Sequence, residues 1–254
     1  MEKYLYLTLD IVTIFIPFIA SFYPKAPFYR EWRYLSPAIV ISATFFVFWD
    51  ASFTQMKVWS FNERYLTGVK IGNLPLEEVL FFICIPYACV FTYFALNYLI
   101  KKDFLFAYQK RVSGIFIVML LTTGFYHFEK WYTSVTFILL GLTMLFQMLT
   151  HATRYMGRFY FAYAVILLPF FAVNMLLTGS LIEGEVVWYD NAENLGIRLG
   201  TIPVEDIFYG MLLVLMNVMI YEGLHLKRGW RVDLRERAAF RQEDAAIDGR
   251  RRSI

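Results

Sequence analysis

Cysteine, histidine and charged residues are all scarce in this sequence. The 254 residues include 2 cysteines and 3 histidines, and 18% of the residues are charged, against 59% hydrophobic and 20% aromatic. A soluble domain usually has about 45 to 50% apolar residues. Cys84 and Cys89 are five positions apart in one apolar segment, so they face different directions and cannot easily pair within one helix. The composition excludes an ordinary soluble domain and indicates a membrane protein.

Several chemical motifs are also missing. No GxGxxG stretch occurs, which argues against a Rossmann flavin site. No lysine lies in the middle of an apolar segment, which argues against a retinal Schiff base, and the single DxxxD match, at Asp244 and Asp248, lies in the C-terminal tail, away from any magnesium-diphosphate site in a loop. We therefore expect no cofactor.

The histidines do not form a metal motif. His127, His151 and His225 lie near the ends of different segments, and the one Glu-x-x-His spacing, from Glu222 to His225, falls at the far end of the last segment from the acidic motifs described below. Four carboxylates in those motifs could in principle hold a hard cation. We nevertheless expect no metal site.

Long apolar runs account for most of the chain. Spanning the hydrocarbon of a bilayer takes roughly 20 largely apolar residues. Asp10 and Pro17 lie centrally in the first run, and no small-residue cleavage site follows it, so we expect this run to be retained. The sequence predicts an all-α, polytopic membrane protein with about seven transmembrane helices, at about 4–22, 34–54, 75–100, 112–127, 131–150, 158–179 and 203–225.

An internal repeat organises these segments. Gly68 to Glu78 and Gly196 to Asp206 match without a gap, each with two glycines, a proline and an acidic pair in the same places. We predict two parallel three-helix repeats joined by a linker helix, as in folds whose halves are related by an axis along the membrane normal. The predicted units are 1–100 for the first repeat, 101–130 for the linker helix, 131–225 for the second repeat and 226–254 for a charged tail.

Basic residues predict the orientation. Of the 24 Lys and Arg residues, 18 lie in the loops after the first, third and fifth segments and in the tail, and 6 lie on the other side. The positive-inside rule then places the N-terminus outside and the C-terminus in the cytoplasm of a cell membrane. The tail, residues 226–254, mixes both signs of charge and is predicted to be solvated near lipid headgroups, with no sign of a nucleic-acid site.

The acidic pairs stand at the start of the third and seventh segments. The motifs NLPLEEVLFF and TIPVEDIFYG contain Glu77 and Glu78, and Glu205 and Asp206. Acidic residues after an N-cap and a proline also start many ordinary helices, with Asn73 and Thr201 as the caps here. However, carboxylates at the edge of the hydrocarbon usually mark a functional interior, and the repeat brings two pairs to one depth.

Adjacent residues of a helix point about 100° apart, so at most one carboxylate of each pair can face the interior directly. Glu77 and Glu205 are Glu in both copies, and we expect them to face it. Glu78 and Asp206 are then expected to be supporting or capping groups.

These motifs resemble the membrane-integral lycopene cyclases. The resemblance also includes WDASFT and KVWSFNERYLTG in the first half and VNMLLTG and VVWYDNAENLGIRLG in the second, and it covers about residues 1–225. In that family the two halves are separate polypeptides in some bacteria and fused in others, as in this chain. The resemblance implies a redox-neutral reaction, in which an acid protonates the terminal double bond of lycopene, a nearby double bond attacks the cation, and proton loss leaves a β-ionone ring.

Candidate residues exist for each role in such a reaction. Glu77 or Glu205 could donate the proton, and the other of these two, or Glu78 or Asp206, could accept it. Asp50 and Asn174, which are equivalent in the repeat, could orient a carboxyl group by hydrogen bonding. Aromatic faces could stabilise the cation, although most aromatic residues in such a chain serve packing or the membrane interface. The aromatic candidates are Trp49, Trp59, Phe81, Phe82 and Trp188.

Two other classes stay open. Small sugar transporters of the proline-glutamine loop type also consist of three helices, a linker helix and three more helices. However, no Pro-Gln dipeptide occurs in this sequence. Passive carotenoid binding is the other alternative. The expected partners are lycopene or a related acyclic carotenoid and the lipid bilayer. Replacing Glu77 or Glu205 by Gln is expected to abolish cyclisation while leaving the protein folded.

Overall fold

The computed structural model describes residues 2–150 and 152–225, and seven α-helices dominate this part of the chain. The helices are α1 (Leu5–Ala20), α2 (Trp32–Met56), α3 (Leu76–Leu99), α4 (Gln109–Tyr126), α5 (Trp131–Leu149), α6 (Met156–Leu177) and α7 (Val204–His225). The only strands in the described residues are six short ones, of two or three residues each. The predicted all-α class is confirmed.

Six helical segments of the described chain are long and apolar enough to cross a membrane. They are Glu2–Ala20, Phe28–Met56, Leu76–Leu99, Trp131–Leu149, Met156–Leu177 and Val204–His225. Of the seven predicted spans, α4 is the one that is not among these six. Its first turn contains Lys110 and Arg111, and its later turns contain serine, threonines and glycines. The chain is a multi-pass membrane protein, with α4 as its least apolar long helix.

The predicted linker helix, α4, packs mainly on α5. The two helices approach closely at Gly141, where an added Cβ would lie 2.8 Å from Cδ2 of Leu121. Small residues at such crossings allow the backbones of membrane helices to come together. The linker therefore belongs structurally with the second half of the chain.

Two matching hairpins lead into α3 and α7. Strand β2 (Lys70–Ile71) pairs with β3 (Leu74–Pro75), and β5 (Arg198–Leu199) pairs with β6 (Ile202–Pro203), both antiparallel and in the same register. Each turn contains a glycine with positive φ, at 64° in Gly72 and 65° in Gly200, a conformation that glycine adopts without a steric penalty.

The predicted N-cap role of Asn73 and Thr201 is wrong. The helices start only after Pro75 and Pro203, and no side chain caps the start of α3. Asn73 instead donates from Nδ2 to the carbonyl of Ala51 at 2.7 Å, and the hydroxyl of Thr201 lies 2.6 Å from that of Thr178. In both halves, the residue after the turn glycine fastens the hairpin to the end of the preceding long helix.

A third small sheet joins the two halves. Strand β1 (Trp59–Phe61) pairs antiparallel with β4 (Val187–Tyr189). Next to it, the Tyr65 hydroxyl donates to the carbonyl of Glu183 at 2.8 Å, and the backbone N–H of Asn62 donates to the carbonyl of Val186 at 2.9 Å. These contacts cover the end of the helix bundle where both acidic motifs lie.

The predicted division at 1–100, 101–130 and 131–225 stays a prediction, although the matched hairpins agree with it. The charged tail predicted at 226–254 lies outside the described residues.

Candidate active site

The first acidic residue of each pair fastens a loop. Glu77 is fully buried, and its Oε1 accepts a hydrogen bond from the backbone N–H of Thr67 at 2.6 Å. Glu205 is also fully buried, and its Oε1 accepts from the N–H of Leu195 at 2.7 Å and from the hydroxyl of Thr133 at 2.6 Å. The backbone donor stands ten residues before the glutamate in both halves.

The second acidic residue of each pair is held by tyrosines from distant elements. Oε2 of Glu78 accepts from the hydroxyl of Tyr6 at 2.6 Å. Asp206 accepts from the hydroxyl of Tyr132 at 2.5 Å through Oδ1 and from that of Tyr189 at 3.1 Å through Oδ2. Tyr6 and Tyr132 occupy the same place near the starts of α1 and α5, so the phenol–carboxylate pair is duplicated.

Glu78 and Asp206 line one cavity between the two halves. Its volume is about 420 Å³, and its wall is mostly apolar. The two carboxylates are close enough to interact electrostatically. The cavity is also lined by a group of polar and aromatic residues that includes Tyr6, Asp50, Trp59, Tyr132, Asn174, Tyr189 and Tyr209.

Glu77 and Glu205 are buried in the interior but do not line this cavity, and in each pair the second carboxylate lines it instead. The physical reason is that α3 and α7 are both rotated so that the first carboxylate reaches back to the loop before the hairpin. The neighbouring carboxylate, about 100° further round the helix, then faces the cavity. One carboxylate from each motif is brought into a shared apolar space.

Asp50 and Asn174 both line the cavity, but no hydrogen bond connects Asn174 to an acidic motif in the described structure. Its Nδ2 donates to the carbonyl of Phe170, one turn earlier in α6, at 3.0 Å. Asp50 is 2% exposed, and its Oδ2 has no hydrogen-bond partner, although Nε1 of Trp59 lies next to the carboxyl group outside normal hydrogen-bond geometry. Asp50 is therefore a buried acid with free bonding capacity beside Glu78.

The five predicted aromatic candidates divide into three groups. Trp59 and Phe81 line the cavity. Trp49 and Phe82 do not line it, and each is stacked on Phe46, at ring distances of 5.5 and 5.8 Å. Trp188 is 47% exposed, because side chains alternate along β4 and its neighbour Tyr189 takes the inward position.

Sequence reasoning missed the tyrosines of the site and one acid. Tyr6 precedes Glu78 by 72 residues and Tyr132 precedes Asp206 by 74, a correspondence that extending the repeat to α1 and α5 would have shown. Tyr209, one turn after Asp206, lines the cavity with a buried hydroxyl that has no partner. Asp10, 2% exposed, lies within electrostatic range of Glu78. The acids thus concentrate in the first half.

Tyr189, in the sheet outside the membrane-spanning segments, illustrates the electrostatics of the site. Burial and then the charge of Asp206 raise the pKa of its hydroxyl well above the ordinary value for tyrosine. The phenol therefore keeps its proton and acts as a hydrogen-bond donor to the carboxylate. Among the described residues, no group of three or more His, Cys, Asp or Glu side chains is arranged to hold a metal ion.

Fold and site together define a class: a multi-pass α-helical membrane protein with paired buried carboxylates at the end of an apolar cavity. The family model described as Lycopene cyclase matches residues 3–96 and 129–224, which is well over half of the chain and includes both acidic motifs. The chain belongs to the lycopene cyclase family. The family indicates an enzyme of carotenoid biosynthesis that acts on a carotenoid in the membrane. Comparison with curated proteins and with solved structures gave no match.

Proposed function

We propose that this protein is a lycopene β-cyclase, an intramolecular lyase that closes the ψ-end of an acyclic carotenoid into a β-ionone ring. The observation that supports it best is the position of Glu78 and Asp206. One carboxylate from each half reaches the same end of a cavity whose remaining wall is mostly apolar. A hydrocarbon substrate fits such a wall, and acid–base chemistry needs such a pair.

The hydrogen bonds favour Glu78 as the proton donor and Asp206 as the acceptor. Asp206 accepts two phenolic hydrogen bonds, which stabilise a charged carboxylate. Glu78 accepts one, and the carboxyl groups of Asp10 and Asp50 are its neighbours, so a proton can be shared within this group of acids. Glu77 and Glu205, with their backbone partners, keep the loops in place.

In the proposed reaction, Glu78 gives its proton to the terminal double bond and leaves a tertiary cation. The electron pair of a nearby double bond then forms the ring carbon–carbon bond, which moves the positive charge onto the ring. Asp206 removes a ring proton, and the electrons of that C–H bond form the ring double bond. One proton enters and one leaves, so no oxidant or reductant takes part.

Aromatic faces beside the two carboxylates support the cationic stage. Trp59, Phe81 and Tyr209 line the cavity, and the rings of Trp59 and Tyr209 lie 6.1 Å apart at 81°. The negative faces of such rings attract positive charge. Because the sheet formed by β1 and β4 covers this end, water is kept from the cation, which would otherwise be hydrated.

The experiment is expression in a lycopene-accumulating bacterium, with pigment analysis and a fluorescence measure of folded membrane protein. The wild-type chain is expected to convert red lycopene into a yellow cyclised product. Glu78→Gln and Asp206→Asn should each lower the rate by about 100-fold or more, because general acid–base groups typically contribute that much. The matched control is Glu129→Gln, at an exposed carboxylate, which should cyclise normally.

Two outcomes would contradict the proposal. Unchanged lycopene beside well-folded wild-type protein would favour carotenoid binding or transport. Normal cyclisation by both Glu78→Gln and Asp206→Asn would move the proton transfer to other groups, with Glu77 and Glu205 the next to test.

We further propose a cell-membrane location with the acidic end outside and the C-terminus in the cytoplasm. The distribution of 18 basic residues against 6 supports this orientation.

A further inference from the structure

The cavity is elongated along one face of α3. Five lining residues form a stripe at helical spacing, here called the α3 stripe: Glu78, Phe81, Ile85, Cys89 and Thr92. From Glu78 to Thr92 the helix rises roughly 21 Å, at about 1.5 Å per residue. This length is about two thirds of the roughly 30 Å hydrocarbon core of a bilayer. The space beside the acids therefore suits a long, narrow apolar molecule.

The wall of the cavity is open on one side, between α1 and α6. Both helices pack on α3. Val12 and Ile16 of α1 line the cavity and are also 61% and 72% exposed, and Pro169 and Ala172 of α6 line it and are exposed as well. A residue that lines a cavity and is exposed outside marks its rim. We call these four residues the lateral mouth.

The lateral mouth lies at the depth of the acyl chains. Val12 and Ile16 follow Tyr6, the partner of Glu78, by six and ten positions, which is roughly 9 and 15 Å along α1. The exposed residues of a helix at this depth face hydrocarbon, not water. The opening thus connects the cavity with the lipid phase.

The acidic end of the cavity offers no comparable opening. The sheet of β1 and β4 lies over it, with Trp59 at 4% and Val187 at 8% exposure. Tyr65, beneath the neighbouring loop, is 2% exposed and is hydrogen-bonded to the carbonyl of Glu183. A hydrocarbon ligand reaching the acids from this side would have to displace the sheet that joins the halves.

We propose that the carotenoid moves sideways from the bilayer through the lateral mouth and lies along the α3 stripe, with its reactive end between Glu78 and Asp206. This inference rests on the proposed cyclase function. The part of the polyene that does not fit along the stripe extends through the mouth into lipid. The two ends of a symmetric carotenoid would then be processed one at a time, with release between them.

The test introduces tryptophan at the lateral mouth and, as a control, at matched positions elsewhere on the same helices. Ile16→Trp is compared with Ile19→Trp, whose parent residue is 57% exposed but does not line the cavity. Ala172→Trp is compared with Ala164→Trp, which is likewise exposed and outside the cavity wall. Initial cyclisation rates are measured in liposomes containing lycopene, at equal amounts of folded protein.

The mouth variants should lose 10-fold or more in initial rate, while the two control variants stay within 2-fold of wild type. A graded series, Ile16→Ala, Ile16→Phe and Ile16→Trp, should show the rate falling with side-chain size even if the tryptophan variant folds poorly. Equal rates at positions 16 and 19 would overturn the proposal.

Failure of the cyclase assignment gives a different result. If the wild-type protein binds lycopene without converting it, the function is wrong, and the mouth is then judged by the rate of lycopene binding. In that case, binding slowed by Ile16→Trp but not by Ile19→Trp supports the mouth, and equal binding rates overturn it.

Discussion

At the scale of single residues, neighbouring carboxylates in one helix have different surroundings. Glu77 accepts a backbone N–H, whereas Glu78 accepts a phenol hydroxyl and faces an apolar cavity. The same division separates Glu205 from Asp206. A buried charge is costly unless its hydrogen bonds are satisfied. Each carboxylate is therefore hydrogen-bonded to the donor that lies next to its own side of the helix.

Tyr209 has a buried hydroxyl without a hydrogen-bond partner in the described structure. Its equivalent in the first half, one turn after Glu78, is Phe81. Leaving a buried polar group unpaired costs about 1 to 3 kcal/mol. We predict that Tyr209→Phe raises the free energy of unfolding by about 1 kcal/mol, because it removes the unpaired group, and leaves the cyclisation rate near that of the wild type, because the aromatic face is kept. Thermal unfolding in detergent and pigment analysis measure the two effects.

The matched control for this prediction is Tyr163→Phe. Tyr163 also lines the cavity, but its hydroxyl donates to the carbonyl of Ile207 at 2.5 Å. The same chemical change there should destabilise the protein by about 1 kcal/mol. If both variants shift the melting temperature in the same direction, the Tyr209 hydroxyl has a partner in solution.

At the scale of elements, two-residue turns place the acid-bearing helices. Each hairpin fixes where α3 or α7 starts, and the residue after its glycine ties the turn to the preceding helix. A shift of one residue at either turn would rotate the helix by about 100° and exchange the carboxylate that faces the cavity. The hairpins therefore control the chemistry although they contain none of it.

Gly72→Ala and Gly200→Ala should each destabilise the protein by about 1 to 2 kcal/mol, because an L-residue with positive φ places its Cβ too close to the following carbonyl oxygen. The control is Gly114→Ala in α4, where an added Cβ meets nothing within 4 Å and φ is not positive. That change should stabilise α4 by about 0.5 to 1 kcal/mol. Opposite signs in the unfolding midpoints confirm the prediction, and a neutral Gly200→Ala would show that the turn can relax.

At the scale of the whole molecule, the site exists only where the halves meet. Glu78 belongs to the first half and Asp206 to the second, and the sheet of β1 and β4 crosses between them. The covalent connection before α4 contributes no residue to the cavity wall. Its contribution is to hold the two halves in one molecule.

Co-expression of residues 1–101 and 102–254 as separate chains is predicted to restore cyclisation in lycopene-accumulating cells. The cut leaves α4 with its partner α5, and the cavity and the sheet hold the two chains together. Each chain alone should be inactive, because it has only one of the two carboxylates. Pigment analysis and co-purification of the two chains check the result. Activity of one chain alone would rule out a site shared between the halves.

Much of this arrangement could be predicted from the sequence. The apolar runs determine six of the membrane-spanning helices, because a bilayer admits few other solutions. The repeated glycines, prolines and acids correctly predicted that both motifs would start helices. The same pattern indicated the family.

The tertiary structure decided which carboxylate of each pair faces the cavity. The motif supplies two adjacent acids about 100° apart, and only the packing of α3 and α7 against the other helices sets their rotation. The partners of Glu78 and Asp206 are tyrosines more than 70 residues away in α1 and α5, so no local pattern could identify them. Local spacing determined where the helices start, whereas contacts between distant segments determined which side chains meet, because helix rotation is a property of the whole bundle.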